Sequence, residues 1–314
     1  MKLIIQIPCL NEEKTLPQVL KEIPKEYKGI KKTEIVIIDD GSTDKTAEIA
    51  KKHGCTILKH KKNKGLGNAF KTGLEYALEQ RADILVNTDA DNQYPSRYIK
   101  NIIEPIIKNE ADVVISDRQT HKIRHFSPLK KMFQKIGSGL VRKLTKTDVK
   151  DTVSGFRAYN KNAMLNLHIT TKFSYVLDTI MQLSKKNMRI VNIPITTNKP
   201  TRKSRLFKNM YQHMIKSGMN ILRLYAVYEP FKTFTFFSLI FFLPGLALAT
   251  RFLYYFSQGQ GDGYIQSLIA TAILIITAVI LFTLGIIGEL LKTNRTLIEE
   301  QYTYQKKREY EKKQ

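Results

Sequence analysis

The sequence predicts an α/β fold with a mostly parallel sheet flanked by helices, followed by an amphipathic segment and a two-helix transmembrane hairpin. Three observations carry this expectation. Short apolar runs alternate with helical patterns from Met1 to about Ile195. Three of those runs end in polar clusters, "PCLNEE", "DDGSTD" and "TDADNQ". The composition then changes sharply after Tyr228.

The elements follow in order. "LIIQIP", "EIVIID", "CTILKH", "ADILVNT" and "ADVVIS" read as strands. Their β-branched runs have the look of strands buried on both faces. "EEKTLPQVLKEI", "TDKTAEIAKKH", "GLGNAFKTGLEYALEQ" and "SRYIKNIIEPIIKN" lie between them and read as helices. Strand–helix–strand alternation implies parallel pairing. Such sheets bind ligands beyond the carboxyl ends of their strands. The shared position of the three polar clusters is therefore the first pointer to a site.

Thr233–Thr250 and Gly263–Gly288 carry no charge. Each is near the roughly 20 apolar residues that span a bilayer. They share one short polar loop, "SQGQGDG", so residues 233–290 are expected to hold two spans, at about 233–256 and 264–288. Lys208, Lys216, Arg223 and Lys232 precede them, and Lys292 and Arg295 follow. By the positive-inside rule both flanks, and so the α/β domain, are expected on the cytoplasmic face of the cell membrane. Arg251, at the far end of the first span, runs against that rule. Pro244-Gly245 predicts a kink. In the juxtamembrane segment 203–232, Leu206, Met210, Met214, Ile221 and Leu222 recur at helical spacing among basic residues. That is the composition of a helix lying on an anionic membrane surface. The charged tail, 291–314, is expected to be a solvated or lipid-facing extension.

With 51 basic and 28 acidic residues the chain carries +23. This points to a polyanionic partner: nucleic acid, anionic lipid or phosphorylated substrates. No nucleic-acid recognition motif is present, and a membrane explains the charge more economically. Two cysteines, Cys9 and Cys55, suggest neither a disulfide framework nor a metal cluster and fit a reducing compartment. "MKLIIQIP" has too short an apolar run for a signal peptide.

Five motifs appear in order: "IPCLNEEKTL", "VIIDDGSTDKT", "NKGLGNAFKTG", "TDADNQYP" and "SGFRAYN". Together they resemble glycosyltransferase family 2, with its GT-A nucleotide-sugar-binding fold. More narrowly they resemble the polyprenyl-phosphate branch, typified by dolichol-phosphate mannose synthases and bacterial polyprenyl-phosphate glucosyltransferases. The resemblance covers about residues 1–205 and implies a catalytic domain over 1–202. It implies that Pro8, Asn11, Glu12, Asp39, Asp40, Lys64, Gly65, Asp89 and Ala90 contact the donor nucleotide. It places Arg157 near the acceptor phosphate together with Ser154, and Arg118 where a second basic residue often occurs.

The residue chemistry stands beside that resemblance. Asp39 and Asp40 end a strand, where they can accept hydrogen bonds from a base or ribose; Gly41 permits a tight turn, and Asp44 or Ser42 can cap the next helix. Asn11 can equally be a cap. Gly65 and Gly67 precede a helix whose first N–H groups could face phosphate, and a simple tight turn is an equal reading. Asp89, Asp91 and Gln93 alternate, so in an extended segment they would converge on one Mg²⁺ or Mn²⁺. A metal there would neutralise a diphosphate leaving group; an Asx-turn is the competing explanation. Arg118, Arg157, Arg202, Lys203 and Arg205 suit a lipid phosphate, or simply an anionic surface. Asp151 could position the acceptor or act as a base.

The expected activity is inverting transfer of a sugar from a GDP- or UDP-linked donor to a polyprenyl phosphate. The expected partners are nucleotide sugar, polyprenyl phosphate and membrane, with no nucleic acid, and the hairpins could pack into a homo-oligomer. Two rivals stand beside it. A processive polysaccharide synthase would usually carry a Q-x-x-R-W motif, and this chain has no Trp. A non-catalytic nucleotide-sugar-binding subunit would not need the acidic constellation.

Overall fold

The computed structural model describes residues 1–119, 138–169, 175–198, 218–219, 222–223 and 225–312. It divides into an α/β unit, Met1–Met214 with Tyr302–Gln314, and a second unit, Ile215–Gln301.

In the α/β unit the five expected strands form as β1 (Lys2–Cys9), β2 (Lys32–Asp39), β3 (Thr56–Lys59), β4 (Ile84–Asn87) and β5 (Val113–Asp117). The helices between them are α1 (Leu16–Glu22), α2 (Thr46–Lys52), α3 (Leu66–Glu79) and α4 (Ile99–Ile107). Next come α5 (residues 138–145), β6 (Arg157–Asn160), α6 (Lys161–Leu165), α7 (Val176–Lys185) and β7 (Ile190–Pro194). The sheet order is β3-β2-β1-β4-β6-β5-β7. Among the described strands β6 alone runs antiparallel, between β4 and β5. Its register sets Asn87 opposite Arg157, and β1 sets Gln6 opposite Asn87.

The side-chain alternation of β1 explains the two-sided core. Leu3, Ile5 and Ile7 pack into one layer with α1 and α4, whereas Ile4 joins Phe70, Leu74 and Tyr159 on the other. On α4 the buried residues Ile99, Ile102, Ile103 and Ile106 follow the helical period. Where α3 crosses β1 it comes close enough that a Cβ at Gly73 would collide with the Gln6 amide.

The second unit holds α8 (Pro230–Ser257), and α9 (Ile265–Lys312) begins there. Both are long and apolar enough to cross a membrane. Only 11% and 17% of their most apolar windows are buried, which sets them apart from core helices. Small residues let the pair approach. A Cβ at Gly245 would stand 3.1 Å from Leu274, and Ser238 Oγ donates to the Ala278 carbonyl at 2.8 Å.

The end of the tail is not wholly solvated. α9 continues to Lys312, and its last turns pack within the α/β unit. Thr303 and Tyr310 are buried, Thr303 Oγ1 meets His168 Nε2 at 2.8 Å, and Lys306 Nζ donates to the Leu167 carbonyl at 2.8 Å. Lys161 lies 4.0 Å over the Tyr310 ring. Thr303, Lys306 and Tyr310 are three and four residues apart, so one helix face carries all these contacts.

Candidate active site

The strands that end in polar clusters, β2, β1 and β4, are neighbours in the sheet, so the three clusters lie side by side at its carboxyl edge. The first two are braced together. Asn11, at φ 55°, donates its amide to Ser42 Oγ at 2.9 Å and accepts from the Thr43 amide at 2.8 Å. The Glu12 amide donates to Thr46 Oγ1 at 2.8 Å, and the Glu13 amide to Asp44 at 3.1 Å. Burial pushes the Asp44 carboxyl up, but hydrogen bonds from Thr46 and the Glu13 amide outweigh it and hold it below the usual range. Asn11 and Asp44 thus act as loop braces. The Glu12 carboxylate is buried and accepts from Thr15 Oγ1 at 2.9 Å. Pro8 sits half-buried beside Ile38.

The two strand-end carboxylates have different fates. Asp40 accepts from His60 Nδ1 at 2.7 Å, the Lys64 amide at 2.8 Å and the Gly65 amide at 2.9 Å. His60 is in turn held by Thr72 Oγ1 at 2.9 Å. Asp40 thus folds loop 60–65 around itself, and the Lys64 and Gly65 N–H groups face that carboxylate. The exposed Lys64 side chain stays at the rim. Gly41 is required where this loop crosses it: at φ +82°, an added Cβ would stand 2.8 Å from Asn63 N. Asp39 is different. Its Oδ1 accepts from the Ser42 amide at 2.8 Å, while Oδ2, fully buried, has no hydrogen-bond partner among the described residues. Lys59 Nζ stands 3.9 Å from it.

The D-x-D pair follows β4 on a turn, which corrects the expected extended alternation. Asp91 Oδ1 accepts from the Gln93 amide at 3.1 Å, and Asp91 Oδ2 from Gln93 Nε2 at 2.8 Å. Asn92 is left-handed at φ 57°. The Asx-turn therefore exists, and it fixes Asp91. Gln93 is tied to Asp91 instead of alternating beside it. Ala90 is buried, and Asp89 and Asp91 are half-buried. Their hard oxygens fit Mg²⁺ or Mn²⁺. Among the described residues no group of three or more His, Cys, Asp or Glu could hold a metal unaided, so a bound ion would need further oxygens from substrate or water.

The segment before β6 reads differently in the structure. Arg157 is 1% exposed. Its guanidinium donates to the carbonyls of Thr152, Ser154 and Val176 and to Thr179 Oγ1, all within 3.1 Å. It braces this turn from inside the fold. Ser154, fully buried, meets Ser116 Oγ at 2.6 Å. Asp151 is gripped by Arg118 through Nε at 2.6 Å and Nη2 at 2.9 Å. Both of its oxygens are engaged by that one guanidinium. Burial alone would lower the Arg118 pKa; the acidic groups around it, with Asp151 in direct contact, raise it instead. Arg202, Lys203 and Arg205, and the amphipathic stretch through residue 217, lie outside the described residues.

Sequence reasoning missed His60, Asn87 and Tyr175. His60 was legible only as the polar end of a strand. Asn87 looked like part of the strand, and nothing local marked Tyr175.

A sheet of this topology with a D-x-D pair beside an acidic strand end is the domain of a glycosyltransferase. The chain belongs to glycosyl transferase family 2, whose model matches residues 4–167, just over half of it. It is 32% identical over 213 residues to the UDP-N-acetylglucosamine–dolichyl-phosphate N-acetylglucosaminyltransferase of Methanococcus voltae, covering 61% of this chain and 83% of that one. It is 30% identical over 205 residues to the dolichol-phosphate mannosyltransferase of Pyrococcus furiosus, covering 62% of this chain and 56% of that one. The fold is also that of glucosyl-3-phosphoglycerate synthase from Mycobacterium tuberculosis, solved with Mn²⁺, UDP and phosphoglyceric acid. There the TM-score is 0.55 at 18% identity, over 70% of this chain and 78% of the other.

Proposed function

We propose that this glycosyltransferase moves a sugar, with inversion, from a nucleoside-diphosphate sugar to a membrane polyprenyl phosphate. The observation that carries the reading is the row formed by β2, β1 and β4, which sets the Asp39 carboxylate and the Asp89–Asp91 pair along one edge. Among the described residues Asp39 Oδ2 lacks a hydrogen bond and has only Lys59 Nζ, at 3.9 Å, as an ion-pair partner; a shift of the loops that cover it would let it accept from the N–H of a nucleobase. Asp89 and Asp91 would hold Mg²⁺ or Mn²⁺, which supplies charge neutralisation for the departing diphosphate. Arg118 keeps its fork on Asp151, and its Nη1 makes no hydrogen bond among the described residues. Its N–H groups outside that fork are the ones that would meet the acceptor phosphate. The phosphate oxygen, already anionic, attacks the anomeric carbon as the bond to the diphosphate oxygen breaks, so no general base is needed.

The relatives named for dolichyl-phosphate acceptors support the lipid substrate, and the two apolar helices support its membrane setting. The basic flanks favour a cytoplasmic catalytic face. The test incubates membranes holding the full chain with labelled UDP- and GDP-sugars, polyprenyl phosphate and Mn²⁺ or Mg²⁺. Labelled lipid is expected with one donor, falling about 100-fold or more in Asp91→Ala. Absence of product with every donor, or undiminished product in the variant, would sink the reading.

A further inference from the structure

We propose that Asn87 and Tyr175 are positioning residues that set the Asp89 carboxylate by locking the end of β4 to the turn before β6, with Gly155 as the interlock. The inference rests on reading Asp89 and Asp91 as the metal pair.

Asn87 closes β4, two residues before Asp89, and is fully buried. Its amide is used at both ends. Oδ1 accepts from Gln6 Nε2 at 2.9 Å; Nδ2 donates to the Gly155 carbonyl and to the Tyr175 hydroxyl, each at 2.8 Å. The Tyr175 hydroxyl donates to the same Gly155 carbonyl at 3.3 Å, and the Gly155 amide donates to Tyr94 Oη at 3.3 Å. Both polar backbone groups of Gly155 are thus held by side chains from other segments. The space its missing Cβ would fill is bounded by Asp89. A Cβ there would stand 3.3 and 3.4 Å from the two Asp89 carboxylate oxygens and 3.3 Å from the Tyr175 hydroxyl. The Tyr175 ring is itself fixed, stacked on Phe70 with centroids 3.9 Å apart at 6°.

Packing alone does not call for this arrangement. Gln6, Asn87 and Tyr175 are each 0% exposed, and Gln6 Oε1 has no hydrogen-bond partner among the described residues. A buried network with an unpaired acceptor is a poor source of stability, but it gives one geometry where an apolar core would tolerate several. Its outlet is Asp89. Groups behind a metal ligand set its orientation, and their loss typically weakens metal binding about 10- to 100-fold.

The test measures free Mn²⁺ by electron paramagnetic resonance while the purified full chain is titrated with UDP or GDP present, so turnover is not required. Tyr175→Phe keeps the stack on Phe70 and removes only the hydroxyl. It is expected to raise the Mn²⁺ dissociation constant about tenfold. Gly155→Ala, whose methyl meets the carboxylate directly, is expected to match or exceed that. In assays the Mn²⁺ concentration for half-maximal rate should rise while kcat at saturating Mn²⁺ changes less. A purely structural role would lower Tm and leave the metal curve in place; that result in both variants overturns the inference. If instead the wild-type chain binds no Mn²⁺ with either nucleotide, the metal reading itself has failed, and the positioning role goes with it.

Discussion

Asp39, at the end of β2, keeps a buried carboxylate oxygen without a hydrogen bond among the described residues; Arg157, three strands away on β6, has its guanidinium taken up by the fold. Both looked like substrate-binding residues in the sequence. The donor side braces its loops with Asn11, Asp44 and Asp40 and so leaves one acceptor over. The β6 side consumes its charges internally, Arg157 on carbonyls and Asp151 on Arg118. What differs is the supply of partners. Two parallel strand ends with Gly-rich turns offer N–H groups enough for most of their carboxylates, whereas an antiparallel insertion in a parallel sheet creates a crossover of unpaired carbonyls that a buried arginine can satisfy.

Arg157→Met breaks the contrast most severely. It strands buried carbonyls at about 1–3 kcal/mol each, so the chain should lose several degrees of Tm in detergent, and kinetic defects should track lost folded protein. A variant with normal Tm and a raised acceptor KM would instead restore Arg157 to the site. Asp39→Asn probes the other side. The amide keeps the shape but can present N–H where Oδ2 accepts, so donor KM should rise about tenfold, worth roughly 1.4 kcal/mol, with Tm held or increased. An unchanged donor KM would mean that the orphan oxygen serves no base.

The smallest effect concerns the thiols. Burial pushes Cys55 up to about 11 and raises Cys9 well above its ordinary value, with Glu12 and Asp39 adding to the Cys9 shift. The raised pKa keeps both protonated near neutral pH, and thiolate is the reactive form. Native protein should therefore resist alkylation at pH 7.5, with Cys55 labelling first as the pH climbs toward 11 and both labelling at once when unfolded. Rapid native labelling at pH 7.5 would show the donor-side loops to be open.

Much of the fold was legible because it is local. Each of β1 to β5 has its own apolar run, and each polar cluster sits at the end of a strand whose sheet neighbours follow from strand–helix alternation. β6 was not, since "RAYN" is four residues long and opens on a charge. The D-x-D segment was half legible. Its place was right, but the competing turn and metal readings prove compatible: the Asp91–Gln93 turn orients the carboxylate that a metal would need. Asp40, Ser154 and Arg157 have internal partners that no local pattern announces. A sequence displays a polar side chain, but some of the groups that hold it lie far along the chain, such as His60 for Asp40, Ser116 for Ser154 and Thr179 for Arg157.

The docked end of α9 has a consequence for the chain's connectivity. Because Tyr302–Gln314 returns to the unit that Met1–Met214 begins, residues 215–301 are topologically an insertion, and the catalytic unit is discontinuous in sequence. Deleting the last dozen residues as a dispensable tail would strip Thr303, Lys306 and Tyr310 from α6 and its flank, uncapping the Leu167 carbonyl. A nick in the polar loop between α8 and α9 would leave each fragment still holding a piece of that unit.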